Sequence, residues 1–225
     1  MVNPTVVALL GAESTGKTAL AQALTHELRG RGHAVACVAE YLREFCDAKG
    51  RTPTPAEQHL IAAEQAHRIE AAAADHALVI ADTTPLMTAV YSDFVFGDRG
   101  LYLKALDWQR RQVALTLLTG LDLPWQADGL QRDGPQVRAP VDALLRDALA
   151  SADIGSAVIY GSGAARTVAA LAAMAPLLGG LRSTGDACSA ADGAPFTRWR
   201  ARCAECLQPD CEHLARFLPE IPRTP

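Results

Sequence analysis

The chain has 225 residues, with 21 Lys and Arg side chains against 25 Asp and Glu, a formal net charge of −4. This balance provides no large basic face for a nucleic-acid backbone or an anionic membrane, so we expect a small-molecule ligand, no nucleic acid and no membrane partner. No apolar run approaches the length of a membrane span, and residues 1–4 lack the features of a secretion signal, so we expect a cytoplasmic protein. The 49% of hydrophobic residues can build one sizeable core and a short appendage.

A phosphate-binding sequence follows the first predicted strand. The apolar run 6–10 leads into Gly-Ala-Glu-Ser-Thr-Gly-Lys-Thr at 11–18 and then into a helical pattern that ends near residue 29. The glycines let successive N–H groups and the helix N-terminus point at anionic oxygens. Lys17 adds a charge for the β- and γ-phosphates, and the Thr18 hydroxyl suits a bound Mg²⁺. The expected nucleotide-binding residues are Gly11, Glu13, Ser14, Thr15, Gly16, Lys17 and Thr18.

The second predicted strand, 34–39, is followed by an acidic residue. Because the carboxyl ends of parallel strands meet at one edge of a sheet, Glu40 should lie beside an acceptor pocket. It is our first candidate for the base that orients or deprotonates an acceptor hydroxyl. The alternative is that Glu40 and Arg43 form an i,i+3 surface pair at the start of a helix.

The third predicted strand, 78–82, also ends in an acid. It follows a long Ala-rich helix that begins with Thr54 as N-cap and extends to about residue 74. Asp82 should reach the same sheet edge and serve the Mg²⁺ held by Thr18. Since Pro85 predicts a helix start, Asp82 can also be a simple N-cap.

A loop rich in Gly and Pro follows the helix 101–111 and the fourth strand 113–118. Residues 119–138 have no hydrophobic periodicity and predict a mobile lid. Arg132 and Arg138 can neutralise charge on a transferred phosphoryl group, or can belong to a solvated loop. Trp125 can stack on a flat base or anchor the lid to the core.

Alternation of strands and helices continues through a helix at 141–149, a strand from 157 and a helix at 164–178. This order predicts an α/β fold, a five-stranded and mostly parallel sheet with helices on both faces. We expect it to form one domain over residues 1–178.

The C-terminal part differs in composition. Residues 179–195 predict a linker and residues 196–225 a short Cys-rich tail. Four ligands that suit structural zinc lie close together here: Cys203, Cys206, Cys211 and His213. Their spacing differs from the standard paired pattern, so free thiols or a redox pair stay open as alternatives.

Four motifs in this order resemble a known family. Residues 11–18, 40–45, 82–83 and 124–132 are similar to the ribosylnicotinamide kinase domain of the bifunctional NadR-like regulators of NAD biosynthesis. The resemblance implies a P-loop NTPase fold and transfer of the γ-phosphate of Mg-ATP to the ribose 5′-hydroxyl of nicotinamide riboside. It implies that Asp128 and Arg132 belong to the closing lid and that these residues lie near the nucleoside: Glu40, Tyr41, Arg43, Asp82 and Trp125.

The identity of the acceptor and the class of activity stay open. The chain shows no adenylyltransferase motif, so the second activity of the bifunctional members is expected to be absent. A kinase for another nucleoside or for a nucleotide would use the same fold. A regulatory ATPase that acts on a protein partner through the Cys-rich tail is the alternative from another class.

Overall fold

The computed structural model describes residues 4–126 and 134–179, which form one sheet covered by helices. All strand pairings are parallel, and the strand order is β2-β3-β1-β4-β5. The strands are β1 (Thr5–Leu10), β2 (Val35–Val38), β3 (Leu78–Asp82), β4 (Leu115–Thr119) and β5 (Ser156–Ile159). The helices are α1 (Lys17–Gly30), α2 (Tyr41–Lys49), α3 (Gln58–Asp75), α4 (Pro85–Phe96), α5 (Tyr102–Gln112), α6 (Arg138–Ser151) and α7 (Gly163–Leu178). The predicted five-stranded parallel α/β fold is confirmed.

The central strand β1 is buried on both faces, which explains its uninterrupted apolar sequence. Val7 and Leu9 pack with α1 and α7, whereas Ala8 and Leu10 pack with α4 and α6. Successive side chains of a strand point to opposite faces, so one apolar run packs against the helices on both faces of the sheet. Helices on both faces thereby fix β1 at the centre of the sheet.

Most element boundaries differ from the predicted ones by one to three residues. The Thr54 cap is confirmed as a capping box, in which the Thr54 N–H donates to Glu57 Oε2 at 2.8 Å, although the first turn, Pro55–Glu57, is a short 3-10 helix. The predicted lid was too long at its C-terminal end. Pro135–Val137 form a 3-10 helix, and Arg138 already begins α6.

No helix in residues 4–126 and 134–179 combines the length and apolar character that a membrane crossing requires. The predicted Cys-rich tail and nearly all of the predicted linker lie outside the described residues, as do Asp128, Arg132 and the candidate zinc ligands.

Candidate active site

The phosphate loop connects β1 to α1 and depends on left-handed backbone at two positions. Ser14 has φ 54° and Gly16 has φ 75°. At Gly11, with φ 148°, an added Cβ would lie 2.1 Å from Thr119 Oγ1 on the neighbouring strand β4. Only glycine fits this approach, because no real Cβ tolerates such a distance. The loop is therefore shaped by its own sequence and by the end of β4.

Lys17 is the first residue of α1 and folds back over the loop. Its Nζ donates hydrogen bonds to the carbonyl oxygens of Gly11 at 2.9 Å and Ala12 at 2.8 Å. These contacts hold the ammonium group at the mouth of the loop, where the glycine-rich turn presents its amides. A phosphate bound there would meet a cation already in position.

A cavity of about 210 Å³ begins at this loop and ends between α2 and α4. Its polar wall includes Lys17, Glu40 and Arg43, and its apolar wall comes largely from α4. The full lining is Glu13, Ser14, Lys17, Glu40, Leu42, Arg43, Cys46, Thr52, Pro53, Gln58, Thr83, Met87, Thr88, Tyr91, Val95 and Phe96. A concave space with mixed walls and few charged groups is typical of small-molecule sites.

Glu40 occupies the N-cap position of α2 and faces this cavity. Arg43 Nε donates to Glu40 Oε2 at 3.1 Å, so the i,i+3 pair that the sequence allowed does form. It is no ordinary surface pair, since the Glu40 side chain is only 13% exposed. Burial raises the pKa of Glu40; Lys17 opposes the increase, Asp82 adds to it, and Arg43 opposes it. A carboxylate with a raised pKa beside a phosphate loop suits proton transfer.

Asp82 ends β3, beside Leu9 of the central strand, and is 2% exposed. Neither of its carboxylate oxygens has a hydrogen-bond partner in the described part of the chain. The N-cap of α4 is Thr84, so Asp82 does not take the simple capping role. An unpartnered buried carboxylate at this edge of the sheet fits the oxygen ligands that Mg²⁺ prefers.

The predicted Mg²⁺ site has only two protein ligands, Thr18 and Asp82. No cluster of three or more His, Cys, Asp or Glu side chains able to hold a metal is present among residues 4–126 and 134–179. Mg²⁺ that enters with a nucleotide needs no such cluster, because phosphates and water supply most of its ligands. Thr18 and Asp82 are therefore compatible with that mode of binding, and their role stays a prediction.

The connection after β4 is attached to the phosphate loop. Trp125 Nε1 donates to Glu13 Oε1 at 3.0 Å, and the Gln126 N–H donates to Ser14 Oγ at 2.7 Å. Trp125 therefore takes the anchoring arrangement in this structure and is not among the cavity-lining residues. Its role in substrate binding stays a prediction.

Arg138 is not part of a solvated loop, because it is 8% exposed at the start of α6. Its guanidinium donates to the carbonyl oxygens of Leu123 at 2.8 Å and Leu121 at 3.1 Å. Arg138 therefore holds the connection after β4 in this structure, and its contact with a transferred phosphoryl group stays a prediction.

Tyr41 also lies apart from the cavity lining. The Arg68 guanidinium carbon lies 4.4 Å from the centre of its ring, a cation–π geometry. Its backbone N–H donates to the side chain of Gln65. The proposed contact between Tyr41 and a nucleoside stays a prediction.

Sequence reasoning missed two buried polar residues that support the site. Arg166 of α7 donates to the Thr15 carbonyl at 2.7 Å and to the Gly161 carbonyl at 2.8 Å, and so braces the phosphate loop from behind. Gln65 of α3 lies under the ends of β2 and β3. Arg166 is the single charged residue of the largely apolar α7, a signal that could have marked it, whereas Gln65 stands among many polar residues of α3 and carries no such signal.

The fold and the loop together define the class of protein. A parallel sheet that carries Gly-x-x-x-x-Gly-Lys-Thr at the end of its central strand is a P-loop NTPase fold. Residues 6–166 match the family model described as an AAA domain, and the chain belongs to this family.

Solved structures give the same fold. The NadR protein in complex with NR is 19% identical with a TM-score of 0.62, and the match covers 79% of this chain and 52% of that chain. The NadR protein in complex with NAD and AMP-PNP is 17% identical with a TM-score of 0.60, covering 85% and 52%. The chain thus spans about half the length of both. No curated protein matches the sequence.

Proposed function

We propose that this protein is an ATP-dependent small-molecule kinase that transfers the γ-phosphate to the ribose 5′-hydroxyl of nicotinamide riboside. The observation that carries the proposal is that Lys17 of the phosphate loop and Glu40 line the same cavity. A kinase needs a donor phosphate and an acceptor hydroxyl aligned in one space, with a base near the hydroxyl. Similarity to a fold whose solved structure holds NR supports this choice of acceptor.

The residues divide into two groups by role. The loop amides and Lys17 hold the phosphates, and Lys17 exchanges contacts with the Gly11 and Ala12 carbonyls for contacts with phosphate oxygens. Thr18 and Asp82 would hold Mg²⁺, which neutralises phosphate charge when bound. This arrangement places positive charge where the phosphoryl group leaves ADP.

Glu40 acts on the acceptor. Its carboxylate accepts the proton of the attacking hydroxyl as the oxygen–phosphorus bond forms and the bond to ADP breaks. Arg43 holds the carboxylate through its Nε hydrogen bond. Lys17 stabilises the charged form of Glu40 and so opposes the desolvation that raises its pKa.

The test is incubation of the protein with Mg-ATP and a panel of nicotinamide riboside, other nucleosides, nucleotides and water, with measurement of ADP and of the phosphorylated product. We expect ADP to form in step with nicotinamide mononucleotide. Product from another nucleoside or from a nucleotide would correct the acceptor. Equal ADP formation with water alone would reject the kinase and favour the regulatory ATPase.

A variant tests the base. Glu40→Gln should lower kcat on the order of 10²- to 10⁴-fold, because proton transfer is lost. ATP binding should change little, since the phosphate loop is intact. Glu44→Gln is a matched control on the same helix, because Glu44 is exposed and pairs with Arg68 outside the cavity. Unchanged turnover in Glu40→Gln would remove Glu40 as the base.

A further inference from the structure

The buried face of α3 contains two polar residues, Gln58, which lines the cavity, and Gln65, which does not. Ile61, Gln65 and Ile69 follow one another at intervals of four and are 1%, 2% and 0% exposed. A helix face of this kind normally carries apolar side chains only. A buried amide costs free energy unless all of its polar groups are hydrogen-bonded, so its partners define what it does.

Gln65 uses its whole amide group. Oε1 accepts the Tyr41 N–H at 2.8 Å, and Nε2 donates to the carbonyl oxygens of Ala39 at 3.3 Å and Thr83 at 3.4 Å. The amide has two N–H donors, and two carbonyls face them. The opposite orientation would place Oε1 against both carbonyls, so the network fixes the direction of the side chain.

These three partners belong to two separate strand ends. Ala39 and Tyr41 flank Glu40, the proposed base, and Thr83 follows Asp82, the proposed Mg²⁺ carboxylate. Thr83 has φ 76°, a left-handed conformation that a β-branched residue seldom adopts. Such a conformation persists only when its surroundings hold it, and the Gln65 bond to its carbonyl is one of those restraints.

We propose that Gln65 is a positioning residue that fixes the Glu40 segment and the Asp82–Thr83 segment relative to each other. It touches neither the acceptor cavity nor the phosphate loop among the described contacts. Its effect on transfer is through the alignment of the two carboxylates, so this inference rests on the proposed kinase function. Displacement by about 1 Å is enough to cost on the order of 100-fold in rate.

The chain supplies a matched control in Gln109. It is 1% exposed, accepts from Thr84 Oγ1 at 2.7 Å and donates to Thr116 Oγ1 at 3.0 Å. Gln109→Met therefore removes a buried amide network of similar size without releasing the Glu40 segment. Gln65→Met and Gln109→Met should lose comparable stability in urea unfolding.

The two variants should differ in kinetics. Gln65→Met should lower kcat on the order of 100-fold and leave the KM for ATP nearly unchanged, because the phosphate loop is not touched. Gln109→Met should keep its kcat close to that of the wild type. Equal kcat values in the two variants would overturn the inference. Gln65→Glu keeps the acceptor for Tyr41 but loses both donors, and it gives a second measurement if Gln65→Met does not fold.

Hydrogen exchange separates this inference from the kinase proposal. In Gln65→Met, amides 39–43 and 82–83 should both exchange faster than in the wild type. Gln109→Met loses the bond to Thr84, so the comparison rests on amides 39–43, which should exchange in that variant as in the wild type. If wild-type protein phosphorylates no acceptor, the kinase proposal fails while the exchange still decides whether Gln65 ties the segments together. Unchanged exchange at either segment would overturn the positioning role.

Discussion

Trp125 Nε1 and Glu13 Oε1 lie 3.0 Å apart, so the connection after β4 is hydrogen-bonded to a side chain inside the phosphate loop. Glu13 is 7% exposed and also lines the cavity. The phosphate loop and the N-terminal part of the predicted lid are therefore held in contact by a bond across 112 positions of sequence.

This contact predicts a coupling that a double-mutant cycle can measure. Trp125→Phe keeps an aromatic ring but loses the donor, and should lower the free energy of unfolding by about 1–3 kcal/mol because a buried carboxylate loses its partner. Glu13→Met, which removes the acceptor, completes the cycle, and Glu13→Met/Trp125→Phe should lose less than the sum of the single variants. Additive losses in urea unfolding would show that the bond contributes nothing.

Substitution of Gly11 should abolish nucleotide binding. In Gly11→Ala the new methyl group would lie 2.1 Å from Thr119 Oγ1, and the loop must move. Gly11→Ala/Thr119→Ala removes that clash but leaves the Thr119 carbonyl at 3.1 Å, so we expect partial recovery. Gly30→Ala is the control, since an added Cβ there meets nothing within 4 Å. Calorimetric titration with ATP gives the result, and full binding by Gly11→Ala would contradict this geometry.

Removal of Arg166 should weaken ATP binding although the residue lies behind the loop. Arg166→Met loses the bonds to the Thr15 and Gly161 carbonyls, and buried polar groups left without partners cost about 1–3 kcal/mol each. We expect a higher Kd for ATP with a moderate loss of stability. Arg110→Met removes an exposed bond to the Ala152 carbonyl and should leave the Kd unchanged. An unchanged Kd in Arg166→Met would limit Arg166 to a packing role.

The pH dependence of stability should report the burial of Glu40. Its pKa is higher in the folded protein than the ordinary value of 4.5 in the unfolded chain. Between the unfolded and the folded pKa, the folded state therefore binds more protons than the unfolded state. The free energy of unfolding contributed by Glu40 is therefore greatest below 4.5 and falls as the pH rises through the folded pKa. Glu40→Gln should lack this decrease and be relatively more stable at neutral pH.

Glu57 should change the pH dependence of stability in the opposite direction to Glu40. Its hydrogen bonds to Arg51 and Thr54 lower its pKa, so its contribution is present above 4.5 and is lost as the pH falls through the folded value. Glu57→Gln should therefore be relatively less stable at neutral pH, with the difference decreasing in acid. Urea unfolding of the wild type, Glu40→Gln and Glu57→Gln from acid to neutral pH measures both effects. If the stability of Glu40→Gln follows that of the wild type in parallel over this range, burial does not raise the pKa of Glu40.

Much of the fold was determined by local sequence. Strand, loop and helix around residues 11–18 follow from apolar runs, two glycines and Lys17, because the backbone conformations involved depend on neighbouring residues. The cap at Thr54 follows equally from a partner three residues away. The order of the elements then allowed a parallel sheet to be predicted.

Only the tertiary structure decided what surrounds each acid and each buried cation. From the sequence, Glu40 is the first candidate for the base, with an i,i+3 surface pair to Arg43 as the alternative. The structure shows that the pair forms and that burial raises the pKa of Glu40. Gln65 is hydrogen-bonded to residues 24 and 26 positions away after β2 and to a residue 18 positions away after β3. Arg166 is hydrogen-bonded to Thr15 across 151 positions. Hydrogen bonds at such separations depend on how helices pack on the sheet, and no local pattern encodes that packing.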